Sequence, residues 1–339
     1  MKNRFNTKIW LEAVVINIIT VLLAVAGYFM PAIIFFTIFL SAISVVVLTM
    51  RTGMKVTLLS LPVLFGIIFL IIGQPVAAGV MILSFYPAGI VLGYGFKQRW
   101  DFRTIFIADS GAYLLSLLTT IVIYNLIENV NQIDKLILQP LKRNLGQLRQ
   151  SMLDIIHMYH ELGVDISGAG SIDRLLNSIQ DAISILIPAF FIVISAAFAF
   201  ITLALSKRIA ERMGYSCKHL PAFYELKADK NTVAVFIISF LLCIVIDNRI
   251  ISSVLLNITF ILSIALLVCG LAVLDYFVYR AGIPGILRAV IYALLFVMLA
   301  VFSMIFPMLH PANLLMLIAL GDSIFDFRKL KCKGEHYGR

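Results

Sequence analysis

Asp109 is the residue whose setting asks most for a chemical explanation. It lies inside an apolar stretch, about six residues beyond Arg103, or roughly 9 Å along a helix. Tyr113, Ser116, Thr120 and Tyr124 follow at helical spacing, so one helix face carries a polar stripe. An ionisable group at that depth costs about 2.5–3.5 kcal/mol on insertion scales, so it needs a partner or a function. Two readings stay open: the stripe lines a pathway or binding site, or it is hydrogen-bond glue between helices.

Tyr86 and Asp322 join these candidates. Tyr86-Pro87 falls near the middle of another apolar stretch, where proline removes a backbone hydrogen bond and favours a kink. A kink beside Ser84 and Tyr86 either lines a cavity or is an ordinary bend. Asp322 follows Gly321 and sits about as far from Arg328 as Asp109 does from Arg103. A cluster of Asp109, Asp322 and Arg280 is one arrangement these depths allow; pairing of Asp275 with Arg280 is another. Glu12, one turn past Lys8, pairs locally or reaches the headgroups. Asn17 and Thr20 lie deeper and suit bonds across helices. His310 titrates near neutral pH in principle, but a single interfacial His is usually structural.

Enzyme signatures are missing. The chain has no GxGxxG, P-loop, HExxH or GxSxG, so no catalytic activity and no cofactor are expected, and ATP-driven work would need another subunit. The four cysteines form no CxxC or Cys/His spacing, which leaves a metal site unsupported. Cys243 and Cys269 lie in apolar stretches; Cys217 and Cys332 lie in basic connections.

The elements that must position these residues follow from composition. The 339 residues are 61% hydrophobic and 13% charged, with a mean hydropathy of +1.02. A soluble domain carries about 25% charge, which excludes a soluble reading. The net charge of +9 reflects loops facing anionic lipid, not nucleic-acid binding. The expected fold is all-α: a polytopic transmembrane helical bundle of about ten spans with an external helical hairpin.

The spans are expected at 9–29, 31–49, 56–72, 75–96, 104–127, 183–205, 232–246, 250–274, 289–308 and 311–327. The seventh is short for an upright crossing, and the tenth is interrupted by Gly321-Asp322. The expected organisation is a first five-span bundle at 1–127, the hairpin at 128–182, a second five-span bundle at 183–327 and a basic tail at 328–339. Most of the 27 Lys and Arg residues fall in alternate connections. That asymmetry places the protein in the cell membrane as a multi-pass chain with both termini cytoplasmic. It also requires both weak spans or neither. Ala24-Val25-Ala26 resembles a cleavage site, but the first stretch is long for a signal peptide and is read as an uncleaved span.

Within the hairpin, Leu141, Leu145, Leu148, Met152, Ile155 and Tyr159 recur at helical steps, predicting an amphipathic helix over 141–162. Pro140 suits its start and Gly163 its stop. Gly168-Ala169-Gly170 suits a turn. Ser171 then caps a second helix, with Ile172, Leu175, Leu176 and Ile179 on one face, that runs into the sixth span. The hairpin is either a spacer packed on itself or a lid or docking element. In the connection 206–230, Pro221, Phe223 and Tyr224 either dip into the interface or belong to a solvated basic loop. Five spans on each side of a hairpin also permit an inverted repeat, although no residues match between the halves.

Pro31, Arg51-Thr52-Gly53, Pro75 and the run Tyr86-Pro87-Ala88-Gly89-Ile90-Val91-Leu92-Gly93 resemble the YybS-like bacterial membrane proteins, a family without an assigned biochemical function. The likeness covers most of the chain. The first six spans also loosely resemble the substrate-binding membrane subunits of energy-coupling-factor vitamin transporters, through the order Pro, Arg-x-Gly, Gly-rich fourth span. That resemblance implies capture of a small molecule, with separate ATPase and coupling subunits as partners. The chain departs from it by adding about four spans and a hairpin. No ligand motif matches, and Ala13 and Ala24 make no AxxxA.

The expected function is therefore small-molecule binding or transport in a lipid bilayer, with an unknown ligand. The alternative is a non-transporting scaffold of envelope assembly or division. A transferase acting on a lipid-linked substrate would rest on little beyond Arg249 and His310. One tension stands: Asp109 and Asp322 lie toward the cytoplasmic leaflet, whereas a capture subunit opens outward.

Overall fold

A computed structural model describes residues 7–128, 131, 133–161, 169–215, 222–284, 287–288, 290–294, 297–298 and 311–328. Among them the regular structure is helical, with no strand. Seven described helices are long and apolar enough to cross a membrane. An apolar stretch in hydrocarbon has no water to bond its backbone, so each must satisfy its own N–H and C=O groups as a helix.

The chain divides into two compact units: Met1–Ser184 with Phe191–His219, and Ile185–Phe190 with Leu220–Arg339. The first contains α1 (Thr7–Phe29), α2 (Ile34–Thr52), α3 (Met54–Ile72), α4 (Pro75–Lys97) and α5 (Phe102–Glu128). It also holds α6 (Gln139–Glu161) and most of α7 (Ala169–Arg212). Ala42 and Val45 of α2, Leu64 and Ile68 of α3, and Ala78, Phe85 and Tyr86 of α4 form its core. Hydroxyls inside the spans bond back to their own helices, as Thr20 does to Ile16 and Thr49 to Val45.

Gly89 and Gly93 explain the glycine-rich fourth span. A Cβ on Gly89 would lie 2.8 Å from the Ala42 carbonyl oxygen, and one on Gly93 would lie 2.9 Å from that of Val46. These glycines let the backbones of α2 and α4 approach, the usual role of small residues four apart in membrane helices. Gly53 serves a turn instead. At φ 90° it makes the one-residue joint between α2 and α3, a conformation that a side chain would strain.

The polar connection after α5 contributes a short π-helix at Asp134–Leu138 and then α6. Leu141, Leu145 and Met152 are partly covered, whereas Leu148 and Ile155 are exposed. The expected stripe is thus split between two environments. Gly163 and Gly168 lie outside the described residues; Ala169 and Gly170 open α7 instead of forming a turn. From there α7 runs unbroken to Arg212. Arg149 of α6 grips Asp173 of α7 through Nε at 2.6 Å and Nη2 at 3.3 Å.

The second unit contains α8 (Lys230–Val245), α9 (Arg249–Arg280) and α10 (Pro311–Phe325). Asp229 caps α8 by accepting from the Thr232 amide, and Asn248 caps α9 by accepting from Ile250 and Ile251. The seventh expected span is this 16-residue α8, shorter than an upright crossing needs. The expected break at Gly321-Asp322 does not occur, because α10 continues through both residues to Phe325. Much of the expected ninth span, and His310, lie outside the described residues. Gly270 of α9 lets α10 approach so closely that a Cβ would lie 2.1 Å from the Leu315 carbonyl oxygen.

Candidate functional site

The polar stripe of α5 faces protein, and a cleft of about 190 Å³ opens along part of it within the first unit. Tyr113, Ser116 and Thr120 of α5, Ser84 of α4 and Ser195 of α7 supply its hydroxyls. Ile38, Val80, Leu117, Ile194 and Phe198 supply its apolar wall. No charged side chain lines it.

The two long helices face each other in opposite directions. Tyr113 meets Thr202, while Ser116 and Thr120 further along α5 share the cleft with Ile194 and Ser195, earlier on α7. The Tyr113 phenol lies 2.8 Å from Thr202 Oγ1, and Thr202 donates its own proton to the Phe198 carbonyl. The phenol is therefore the donor, and Thr202 accepts. The Phe198 ring stands edge-on to Tyr113 at 5.8 Å and to Phe39 at 5.0 Å. This aromatic cluster fixes one end of the cleft.

The hydroxyls differ in what they can offer a ligand. Ser116 donates to Ala112 O at 2.8 Å, and Ser84 donates to Met81 O at 2.6 Å. With their protons committed, both present lone pairs to the cleft, so they act as acceptors. Ser195 is buried and its Oγ has no partner among the described residues. It can donate or accept. Such a wall suits an uncharged, largely apolar molecule bearing O–H or N–H groups.

The other candidates sit elsewhere. Asp109 is one turn from Tyr113 but does not line the cleft. It is fully buried, and neither carboxylate oxygen has a hydrogen-bond partner among the described residues. Tyr124 lies beyond the cleft on the same helix. Tyr86 is buried in the core, where its phenol donates to Thr57 O and lies 3.0 Å from Ser60 Oγ. It ties α4 to α3 and does not line the cleft.

Asp322 belongs to the second unit and is already satisfied. Arg328 donates to its Oδ2 from Nε at 3.0 Å and Nη2 at 2.8 Å. The same guanidinium donates to Tyr224 O at 2.7 Å and Leu226 O at 2.9 Å, pinning the loop before α8 to the end of α10. Arg328, expected in the basic tail, is thus buried. Asp275 pairs not with Arg280 but with Arg288 at 3.7 Å, and it accepts from the Tyr292 phenol at 2.6 Å. Five residues along a helix turn a side chain well away from its partner, whereas Arg288 approaches from beyond the helix end. Glu12 pairs with Arg51 of α2 at 3.5 Å; the Lys8 side chain lies outside the described residues.

Sequence reasoning missed Ser195, Thr202 and Ser206 of α7. They recur at steps of seven and four, the same stripe signal that singled out α5. It also missed Asn257. The Asn257 carboxamide accepts from the Ala189 amide at 2.9 Å and donates to the Ile185 carbonyl at 2.8 Å. Those groups are the two ends of the helical i, i+4 pair that flanks Pro188 in α7. Proline opens the ladder there, and the Asn side chain inserts where the helix is loosened.

Comparison with known proteins agrees with this architecture. The family described as predicted membrane protein, DUF2232, matches residues 18–309. The uncharacterized protein YybS of Bacillus subtilis (strain 168) is 23% identical over 290 residues, covering 82% of this chain and 87% of that protein. No solved structure matches significantly.

Proposed function

Because the chain belongs to the DUF2232 family of predicted membrane proteins, we propose that it binds a small uncharged molecule in the hydroxyl-lined cleft between α5 and α7 and transports it. The observation that carries this reading is the lining itself. Committed acceptors at Ser84 and Ser116 and an unpartnered hydroxyl at Ser195 face an otherwise apolar space. The bond between α5 and α7 is made by Tyr113 and Thr202, whereas the Ser195 hydroxyl on the same cleft makes none among the described residues. The reading includes no catalytic step. Energy for uphill transport would come from separate ATPase and coupling subunits. The distribution of Lys and Arg supports a cell-membrane location with both termini cytoplasmic.

The test is a thermal-shift screen of full-length protein in lipid nanodiscs against uncharged amphipathic metabolites, followed by affinity measurement. A hit should bind about tenfold more weakly to a Thr120→Val/Ser195→Ala variant, the loss expected for about 1.4 kcal/mol of hydrogen bonding. A hit with unchanged affinity, or no hit from the whole panel, contradicts the reading.

A scaffold role is the second reading, and one observation favours it. Leu148, Ile155 and Met158 of α6 are exposed on a helix whose other side chains are mostly polar. Crosslinking from these positions in membranes that captures no envelope protein would count against it.

A further inference from the structure

Asp109 is fully buried, and neither of its carboxylate oxygens has a hydrogen-bond partner among the described residues. The Oγ atoms of Ser110, next in sequence, and of Ser206 on α7 are also buried without partners. The antiparallel register brings Ser206 to Asp109's level. Tyr113 opposes Thr202, and one turn toward the Phe102 end of α5 is matched by one turn toward the Arg212 end of α7.

No described cation balances this carboxylate. Along α4, Ala88 packs with Tyr113 and Gly95 lies against Ile105, so the level of Asp109 falls between them, near Val91 and Leu92. The titratable residue of that stretch is Tyr94, whose ring stands edge-on to Trp100, and the stretch holds no carboxylate and no basic side chain. On α7 the nearest charge is Lys207, which pairs with Glu211 at 3.6 Å. On α2, Arg51 pairs with Glu12. On α5 itself, Tyr113 is the neighbouring titratable group. A bare carboxylate in such apolar surroundings is strongly unfavourable. A proton on the carboxyl group removes that penalty. So does a sodium ion, a hard cation that takes carboxylate and hydroxyl oxygens as ligands.

We propose that Asp109 is an exchangeable monovalent-cation site, holding a proton or a sodium ion, whose loading is linked to occupancy of the adjacent cleft. The linkage rests on the reading of that cleft as a ligand site; the cation site itself does not. Transporters commonly place such acidic groups beside the substrate path, where loading and release change the local charge.

The experiment uses full-length protein in nanodiscs and a membrane-permeant carbodiimide, which modifies protonated carboxyl groups, with mass spectrometry locating the adduct. Adduct formation at Asp109 should fall as pH rises from about 6 to about 9. If sodium is the natural occupant, sodium chloride but not choline chloride slows the labelling. If the proton is, the two salts behave alike. Infrared spectra give a second readout: a protonated-carboxyl band lost in Asp109→Asn, or, with sodium bound, a carboxylate band that responds to sodium and is lost in the same variant. Labelling indifferent to both pH and sodium overturns the proposal. So does an unlabelled Asp109 with identical infrared spectra in wild type and variant. If the Asn variant does not fold, labelling of the wild type decides alone. Cation-dependent labelling in a protein whose cleft binds nothing would keep the cation site and remove the linkage. A bound metabolite with cation-indifferent labelling would keep the cleft as a ligand site and remove the cation site, and the linkage with it.

Discussion

The hydroxyls of Tyr113 and Thr202, 89 residues apart in the chain, lie 2.8 Å apart in the interior of the first unit. The contact joins α5 to α7 at the end of the candidate cleft. Tyr113→Phe keeps the ring against Phe198 and removes the phenol, and Thr202 retains its own bond to the Phe198 carbonyl. The expected cost is about 0.5–1.5 kcal/mol. In a double-mutant cycle with Thr202→Val, read by thermal unfolding in detergent, the two effects should be less than additive. Full additivity would remove the pairing from the account.

Asn257 and Pro188 should behave as one unit. Asn257→Leu leaves the Ala189 amide and the Ile185 carbonyl without their side-chain partner. In the Pro188→Ala background the helix can close its own ladder, so the same substitution should cost less. We expect about 1–3 kcal/mol in the first case and under about half of that in the second. Equal costs in both backgrounds would mean that the carboxamide is not compensating for proline.

Asp322 and Arg328 form the buried pair of the second unit, each almost fully covered. Asp322→Asn or Arg328→Met leaves the other group buried and uncompensated, at about 3–5 kcal/mol. Replacing both, as Asp322→Leu with Arg328→Met, should recover much of that loss. Arg328→Lys should not, because an ammonium cannot reach the carboxylate and both loop carbonyls as the planar fork does. Unfolding midpoints of the four variants check this ordering.

Arg149 and Asp173 give the contact between α6 and α7 a pH dependence. The hydrogen bond from Arg149 holds the Asp173 carboxyl below its ordinary value. Its contribution is therefore present above the carboxylate's unfolded value and is lost as pH falls through the lower folded one. The protection of α6 against hydrogen exchange, corrected for the intrinsic rate at each pH, should fall below about pH 4 in the wild type. In Asp173→Asn that pair-dependent loss of protection should vanish. High salt should shrink the difference, since both groups are exposed. An acid response identical in the two proteins would contradict the pairing.

The spans and their helical character were legible because apolar length and helical period leave few alternatives in a bilayer. The stripe on α5 was legible for the same reason, and so was the weakness of α8. The glycines at 89 and 93 were visible as a pattern, although only the approach of Ala42 and Val46 shows what they admit. Arg328 was misplaced because a count of charges does not separate a solvated arginine from one gripping a buried carboxylate. Tyr86 was grouped with the stripe by its proline neighbour, whereas its phenol points to Thr57 on α3. Asn257 was hidden for a deeper reason: its partners lie 68 and 72 residues away, and no local spacing encodes them. The looser likeness to energy-coupling-factor subunits rests on motif order alone.

The central claim is that the space between α5 and α7 holds a ligand. Native mass spectrometry of protein extracted gently from its own membranes tests this directly, because it detects a bound molecule of any identity by its mass. Ser116 lines the cleft, and Ser116→Leu would fill it. The account predicts a small-molecule adduct on the wild type that is absent from Ser116→Leu, with both proteins folded to the same thermal midpoint. The same adduct on both, or none on either, would contradict it.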